Sequence, residues 1–317
     1  MSFQTNPLRG GGSSGGVDLP ISTPITAWLE PKDAGESIPL SGNCRLGRAP
    51  DNHVIISGAK ASRHHAAIHA QDADEYWLID LGSRNGTYRN EKRVVGPIRL
   101  RDGDCITVGG SSYVFRQQKI DSGSASTSQT VLAGGAVTVI DFKEQDAWLL
   151  IADLENSIEL SKGWPAEKLA ISVGRWINEC SRLIERSGGR IAKYLGDGFL
   201  ACWEAPNEKT AEFDATLRDL GELQATVDVK FRVVLHRGAV TFGSAAQFGE
   251  ESIIGAQKDF TFRLEKLASE LRVAFGLSEQ AEAILRGRIP TESLPGKYAL
   301  KGFEGTHRFY KVVWRES

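Results

Sequence analysis

The chain has 317 residues, with 38 Lys+Arg against 40 Asp+Glu and a net charge of −2. That length accommodates two domains, and the near-neutral balance excludes a polybasic surface, so no nucleic-acid partner is expected. The four cysteines, Cys44, Cys105, Cys180 and Cys202, are scattered without a Cys-x-x-Cys spacing, which excludes a zinc ribbon or a redox pair. No apolar run approaches the ~20 residues of a membrane span, and the N-terminus has no apolar signal-like region, so a cytoplasmic protein with no membrane span is expected.

In chain order, residues 1–24 form a tail containing "RGGGSSGG", expected to be disordered. Residues 25–117 are a succession of short strands, among them "TAWLE", "CRLGR", "HAAIHA", "YWLIDL", "CITVGG" and "YVFRQ", split by turn residues and without a helix. This is the rhythm of a β-sandwich. Residues 118–135 hold a Ser-rich linker, "DSGSASTSQT". Its Thr127 and Thr130 read either as solvated linker residues or, for Thr130, as a phosphorylation site. Residues 136–317 alternate strand-like and helix-like stretches, an α+β module.

The turns of the first module carry an unusual set of polar residues. Arg48 follows Gly47, Ser62-Arg63 precedes His64-His65, and "SRNGT" spans Ser83 to Thr87. Arg supplies charge-assisted, bidentate bonds to phosphate, and Ser and Asn add neutral donors. Singly, each is an ordinary turn residue. In order and at this spacing, "LGR", "SRHHA", "LIDLGSRNGTYRN" and "LRDGDCITVGG" resemble the forkhead-associated (FHA) domain. The resemblance implies an eleven-stranded sandwich that reads phosphothreonine peptides. Arg48 and Ser62 would contact the phosphate, and Arg63, Arg84 and Asn85 the peptide, while Gly47, His65, Gly86 and Thr87 would be scaffold.

In the second module an apolar run, "DAWLLIAD", ends at Asp153. A carboxylate there is costly unless something pairs with it, and one alternative is an N-cap for the "LENSIEL" segment. A helix follows over 165–189, ended by Gly188-Gly189. "RIAKYLGDGFLACW" is then a hairpin, with Asp-Gly supplying the positive φ of a tight turn and Asp197 at its tip. If the strands are neighbours, Asp153 and Asp197 converge. Two hard anionic oxygens without His or Cys suit Mg²⁺ or Mn²⁺. Two such ions serve nucleotidyl transfer. Further on, 227–244 reads as a strand pair, 248–268 as a hairpin leading into a helix, 271–276 as a strand, 278–287 as a helix and 298–313 as a closing hairpin. Together they suggest an antiparallel palm-like sheet.

"IADLENS", "GGRIAKYLGDGFLACW", "IIGAQKDFTFRLEKLA" and "YALKGFEGTHRFYKV" resemble the class III nucleotidyl cyclase domain. The resemblance implies a multidomain chain: an all-β FHA sandwich followed by an α+β, ferredoxin-like cyclase domain over 136–317. It places the metal-binding pair on Asp153 and Asp197, the purine-selecting lysine on Lys193, a second purine contact on Ser252 and the transition-state arginine on Arg263. Taken alone, Lys193 reads as a solvated strand lysine and Arg263 as half of a helix surface pair with Glu265 or with neighbours on the Glu270 side. Two departures stand out. Asp259 occupies the place of an asparagine that orients the ribose, and Asn156 stands where the loop after the first aspartate usually carries Gly. The implied activity is conversion of ATP to cyclic AMP and pyrophosphate by a homodimer with two Mg²⁺ or Mn²⁺ ions per site, coupled to phosphothreonine recognition. The other reading is a phosphopeptide-binding scaffold whose cyclase-like domain only dimerises or senses nucleotide.

Overall fold

The computed structural model describes residues 27–314 apart from 34, 41, 72–74, 119–139, 205–209 and 246–250. The linker threonines Thr127 and Thr130 therefore lie outside the described residues.

Eleven short strands come first: β1 (Ala27–Pro31), β2 (Ile38–Pro39), β3 (Cys44–Gly47), β4 (Val54–Ile55), β5 (Ala66–Gln71), β6 (Glu75–Asp80), β7 (Thr87–Arg89), β8 (Lys92–Arg93), β9 (Ile98–Arg99), β10 (Cys105–Val108) and β11 (Ser111–Gln117). They form a six-stranded sheet, order β2-β1-β11-β10-β7-β8, and a five-stranded sheet, order β4-β3-β5-β6-β9. Inward-facing Leu29, Leu46, Ile68, Leu78, Ile106 and Phe115 build the core between them, as alternation along half-buried strands requires. The eleven-stranded sandwich expected from the motifs is present.

The second part runs β12 (Ile140–Leu154), α1 (Ser157–Gly163), α2 (Ala166–Arg186), β13 (Arg190–Tyr194), β14 (Gly198–Glu204), α3 (Thr210–Thr226), β15 (Phe231–Ala245), β16 (Glu251–Ile254), α4 (Ala256–Leu271), β17 (Phe275–Ser278), α5 (Glu279–Leu285), β18 (Thr291–Ser293) and β19 (Phe309–Val312). One eight-stranded sheet, order β13-β14-β12-β15-β17-β19-β18 with β16 paired to β15, carries the helices. One face packs Trp148, Leu150 and Ala152 against α2 and α3. The other buries Leu149, Ile151 and Leu200, with Phe262 of α4 packed against them.

Helix α2 forms where expected. Leu169, Ala170, Val173, Trp176, Ile177, Cys180 and Ile184 recur at three- and four-residue spacing and are all buried. It ends in a Schellman motif: Gly188 has φ +80°, its N–H reaches Glu185 O at 3.0 Å, and Gly189 N–H reaches Ile184 O at 3.0 Å.

Several expectations are corrected. Residues 231–245 form one continuous strand, not a strand pair, bonded to β12 along all fifteen residues of each. Gly238, inside the span where a strand pair would need its turn, is a close-approach glycine: a Cβ there would lie 2.8 Å from Gln257 Cγ. The sheet is mixed, because β15 and β17 run parallel. The closing hairpin reduces to one bridge, Tyr298↔His307, and β19 pairs instead with β17 and β18. Helix α3 has no counterpart in the sequence reading. Among the described residues no helix is long and apolar enough to cross a membrane.

Candidate functional site

Two sites emerge, one in each half. In the sandwich, three loops knit together at one rim. Arg48 N–H donates to Ser62 O at 2.9 Å and Ala49 N–H to Arg63 O at 3.0 Å. Ser62 Oγ accepts from Arg84 N–H at 3.1 Å, and the Asn85 amide donates to Lys60 O at 2.7 Å. His65 lies beneath them, with Ser62 N–H donating to its Nδ1 at 3.0 Å. That bond puts the ring proton on Nε2, which donates to Gly86 O at 3.1 Å. Burial holds the imidazole below its ordinary pKa, so the ring stays neutral.

A second anchor is the buried Asp80 carboxylate. It accepts Ser83 N–H at 3.0 Å, Ser83 Oγ–H at 2.6 Å and Thr87 Oγ1–H at 2.6 Å. These bonds fix the loop carrying Arg84 and Asn85. Arg48, Arg63 and Arg84 are exposed, so three cations stand on a rim organised from below. A preorganised cluster of this kind suits a phosphate dianion.

In the second half, Asp153 lies opposite Gly198 in the β12–β14 ladder, and Leu154 N–H donates to Asp197 O at 3.1 Å. A Cβ on Gly198 would fall 2.8 Å from Asp153 Oδ1. Glycine is thus needed there for room. The positive φ of the turn sits instead on Gly196 (+93°), a correction to the Asp-Gly reading. Leu195 N–H bonds Gly198 O at 2.8 Å, leaving Gly196-Asp197 as a two-residue Gly-X loop.

Asp153 does not cap a helix. The residue before α1 is Asn156, in the left-handed conformation (φ 53°, ψ 41°). The loop therefore has the backbone freedom that a glycine would supply, from a residue type that tolerates it. Ser157, which sequence reading missed, donates its hydroxyl to Asp197 Oδ2 at 2.6 Å.

The Asp153 carboxyl is pushed up to about 7. Burial is the main cause, followed by the charges of Asp197 and Glu265 and a hydrogen bond with Asp197, while Arg232 opposes. The two aspartates therefore converge and repel. Arg232, opposite Asp153 in the β12–β15 ladder and almost fully buried, reaches Glu155 at 3.7 Å and Glu265 at 3.4 Å. Glu265 thus pairs with Arg232 and not with Arg263, another correction.

Lys193 is placed by a bulge. The β13–β14 register shifts between Ile191 and Lys193. Ile191 opposes Ala201 on the α2 face, whereas Lys193 opposes Leu200 on the α4 face. Uninterrupted alternation would have put Ile191 and Lys193 on the same side. Asp153, one residue beyond Ala152, shares the α4 face with Ile151 by parity. Asp259 and Arg263 lie one turn apart on the exposed stripe of α4, and among the described residues neither ion-pairs with Asp153 or Asp197. Ser252 pairs with Gly243 in the β15–β16 ladder, and its side chain lies outside the described set.

The carboxylate pair fits a hard divalent cation. Its donors are oxygens only, the two carboxylates stand on neighbouring segments, and Asp153, raised first by burial and then by the charges of Asp197 and Glu265, is a group whose ionised form a cation would favour. A cavity of about 450 Å³ lies beside the turn, lined by Ser157, Ile158, Gly196 and Asp197, with Arg93, Val95 and Gly96 from the sandwich.

The family model for the FHA domain matches residues 44–109. The transcriptional regulatory protein EmbR of Mycobacterium tuberculosis is 33% identical over 91 residues, 28% of this chain and 23% of EmbR. This chain thus spans about a quarter of that relative's length. The glycogen accumulation regulator GarA of Mycolicibacterium smegmatis is 31% identical over 117 residues, 36% of this chain and 73% of GarA. Among solved structures, the adenylyl cyclase CyaB from P. aeruginosa aligns with 23% identity and a TM-score of 0.45, over 56% of this chain and 97% of CyaB. The family model falls on the segment that folds as the eleven-stranded sandwich, and GarA is matched over most of its own length, so this chain belongs to the FHA-domain family through its N-terminal module.

Proposed function

We propose that the second half is a nucleotidyl cyclase that converts ATP to 3′,5′-cyclic AMP and pyrophosphate, and that the FHA domain couples it to a phosphothreonine-bearing partner. The observation that carries this reading is the convergence of Asp153 and Asp197 at one end of the β12–β14 ladder, with Asp153 held at about 7. Asp153 and Asp197 would hold Mg²⁺ or Mn²⁺, which when bound neutralises charge on the phosphates and the departing pyrophosphate. In the reaction the ribose 3′-oxygen bonds to the α-phosphorus, the bond to the β-phosphate oxygen breaks, and the 3′-hydroxyl proton is released.

Lys193 selects adenine, its ammonium donating to a ring nitrogen. Ser252 adds a second purine contact and Asp259 accepts from a ribose hydroxyl. Arg263 stabilises the charge that builds on the phosphoryl oxygens. The exposed position of Arg263 on α4 supports a site completed by a second copy of the chain, in which one copy supplies the aspartates and the other Lys193 and Arg263. On the FHA rim, Arg48 and Ser62 take the phosphate and Arg63, Arg84 and Asn85 the flanking peptide.

Asp259 favours a second reading, a phosphopeptide scaffold with a weak or inactive cyclase-like domain, because it adds negative charge one turn from Arg263. Incubating the purified full chain with ATP and Mn²⁺, with GTP in parallel, separates the two. Cyclic AMP as the main product supports the first reading. Absence of any cyclic nucleotide, with phosphopeptide binding intact, leaves the second.

A further inference from the structure

The sandwich and the carboxylate hairpin are packed as one unit. Strand β13 is an edge strand of its sheet, and an open edge presents unpaired backbone groups. At Tyr194 this edge is closed by a side chain from the FHA domain. Tyr194 N–H donates to Gln71 Oε1 at 2.8 Å, and Gln71 Nε2 donates back to Tyr194 O at 3.4 Å. Gln71 is 1% exposed, so both bonds are made out of water. The buried His69 ring meets the Tyr194 ring edge-on at 5.0 Å. Tyr194 adjoins Lys193 and stands three residues before Asp197.

Two glycine contacts tighten the same seam. A Cβ on Gly174 of α2 would lie 2.3 Å from Gly82 N and 2.6 Å from Asp80 O, so the helix rides directly on the loop that continues to Arg84 and Asn85. At the other end, a Cβ on Gly96 would sit 3.5 Å from Gly196 O, in the turn that carries Asp197. Ile79 of the sandwich belongs to the second half's core, with Trp77, Leu81 and Val95 packed against it. Arg45 pairs with Glu185 at 3.2 Å on the perimeter.

We propose that Gln71 is a positioning residue for the candidate catalytic hairpin, and that the FHA domain docks through Gln71 and the Gly82–Gly174 seam as a brace that links the peptide-reading loop to Lys193 and Asp197. The regulatory meaning rests on the cyclase reading, but the brace itself does not. The loop over 82–86 and the hairpin over 190–198 contact the same docked surface, so displacement at one end is transmitted to the other through packed backbone. Docking is the ordered state, since undocking strips β13 of its edge partner and exposes Ile79.

The test is hydrogen–deuterium exchange on the full chain, without nucleotide, comparing wild type with Gln71→Ala and Gly174→Val. Gln71→Ala removes both buried bonds to Tyr194, and a 3.5 Å bond to Glu75 within the sandwich, while leaving the peptide loop's own network untouched. Exchange across 190–198 is expected to become about tenfold faster. Gly174→Val drives a side chain into backbone and should loosen 79–86 and 190–198 together. Unchanged exchange across 190–198 in Gln71→Ala, or a Gly174→Val chain whose seam opens while the hairpin stays protected, overturns the brace. If Gly174→Val fails to fold, Gln71→Ala alone decides. Nucleotide-analogue affinity measured on the same proteins separates the two ideas. A loosened hairpin in a chain that binds no nucleotide leaves the brace standing and removes the cyclase reading.

Discussion

The raised Asp153 makes a measurable prediction about stability. An isolated aspartate titrates near 3.8, and in the folded protein this one is held to about 7. The folded state therefore keeps a proton that the unfolded chain releases. Where the native state binds more protons, stability falls as pH rises. The favourable contribution is complete below 3.8, declines between 3.8 and about 7, and is gone above that. At 1.36 kcal/mol per pH unit the ceiling is ~4 kcal/mol. Partial solvent access to Asp153 reduces it to about 2–3 kcal/mol. Urea unfolding of the full chain in chelator, from pH 4.5 to 8, should show this loss. Asp153→Asn cannot ionise, so its curve should be flatter over that range by the same amount. Adding Mn²⁺ at pH 8 should restore the wild type, by ~2.7 kcal/mol at a hundred times its dissociation constant, and leave Asp153→Asn nearly unmoved. Parallel pH curves for the two proteins would sink the raised Asp153, and an Mn²⁺ effect that did not depend on Asp153 would sink the cation reading.

Other outcomes follow from the same geometry. Arg263→Ala should lower turnover by ~10²–10³ with little change in nucleotide affinity, as single-turnover kinetics would show. Arg48→Ala and Ser62→Ala should each abolish binding of a phosphothreonine peptide by calorimetry, and His65→Ala should weaken it indirectly by releasing Ser62 and Gly86. Asp153→Ala and Lys193→Ala, each nearly inactive, should rescue one another to about a quarter of wild-type activity when co-refolded, since half of randomly mixed two-fold dimers carry one intact site. Exchange of subunits without rescue would argue for a site contained in one chain.

What the sequence disclosed and what it hid divide along physical lines. The FHA loops were legible because their function needs particular residue types at short range: Asp80, Ser83 and Thr87 satisfy one another within eight positions. Asn156 was legible for a similar reason, because a left-handed backbone admits few residues. Helix α2 announced itself through its stripe and its paired glycines. The failures involve distant partners. Gly238 looks like a turn until Gln257 is seen lying over it. Gln71 and Gly174 look like a strand-end glutamine and a weak spot in a helix. Their partners, Tyr194 and Gly82, are more than ninety positions away in the chain. Ser157 sits forty positions from Asp197, and nothing local marks it as that carboxylate's donor.

The bulge between Ile191 and Lys193 joins these threads. In a regular strand, Ile191 and Lys193 would face α2 together, and Tyr194 would face α4. Lysine would then be buried in an apolar core and tyrosine presented to the candidate site. One inserted residue reverses both. Lys193 moves to the face it shares with Asp153, and Tyr194 turns into the core beneath α2, where it is 7% exposed. On that side its backbone is also within reach of Gln71. The same irregularity thus gives the hairpin its candidate base-reading side chain and its anchor on the FHA domain. Deleting Ala192 removes the extra residue and leaves Ile191, Lys193 and Tyr194 opposite Ala201, Leu200 and Phe199 in unbroken alternation, each on the face it holds now. The expected result is a folded chain whose nucleotide-analogue binding and exchange across 190–198 stay close to wild type. If that deletion weakened binding and speeded exchange across the hairpin, the facing of Lys193 and Tyr194 alone would not explain its placement and docking.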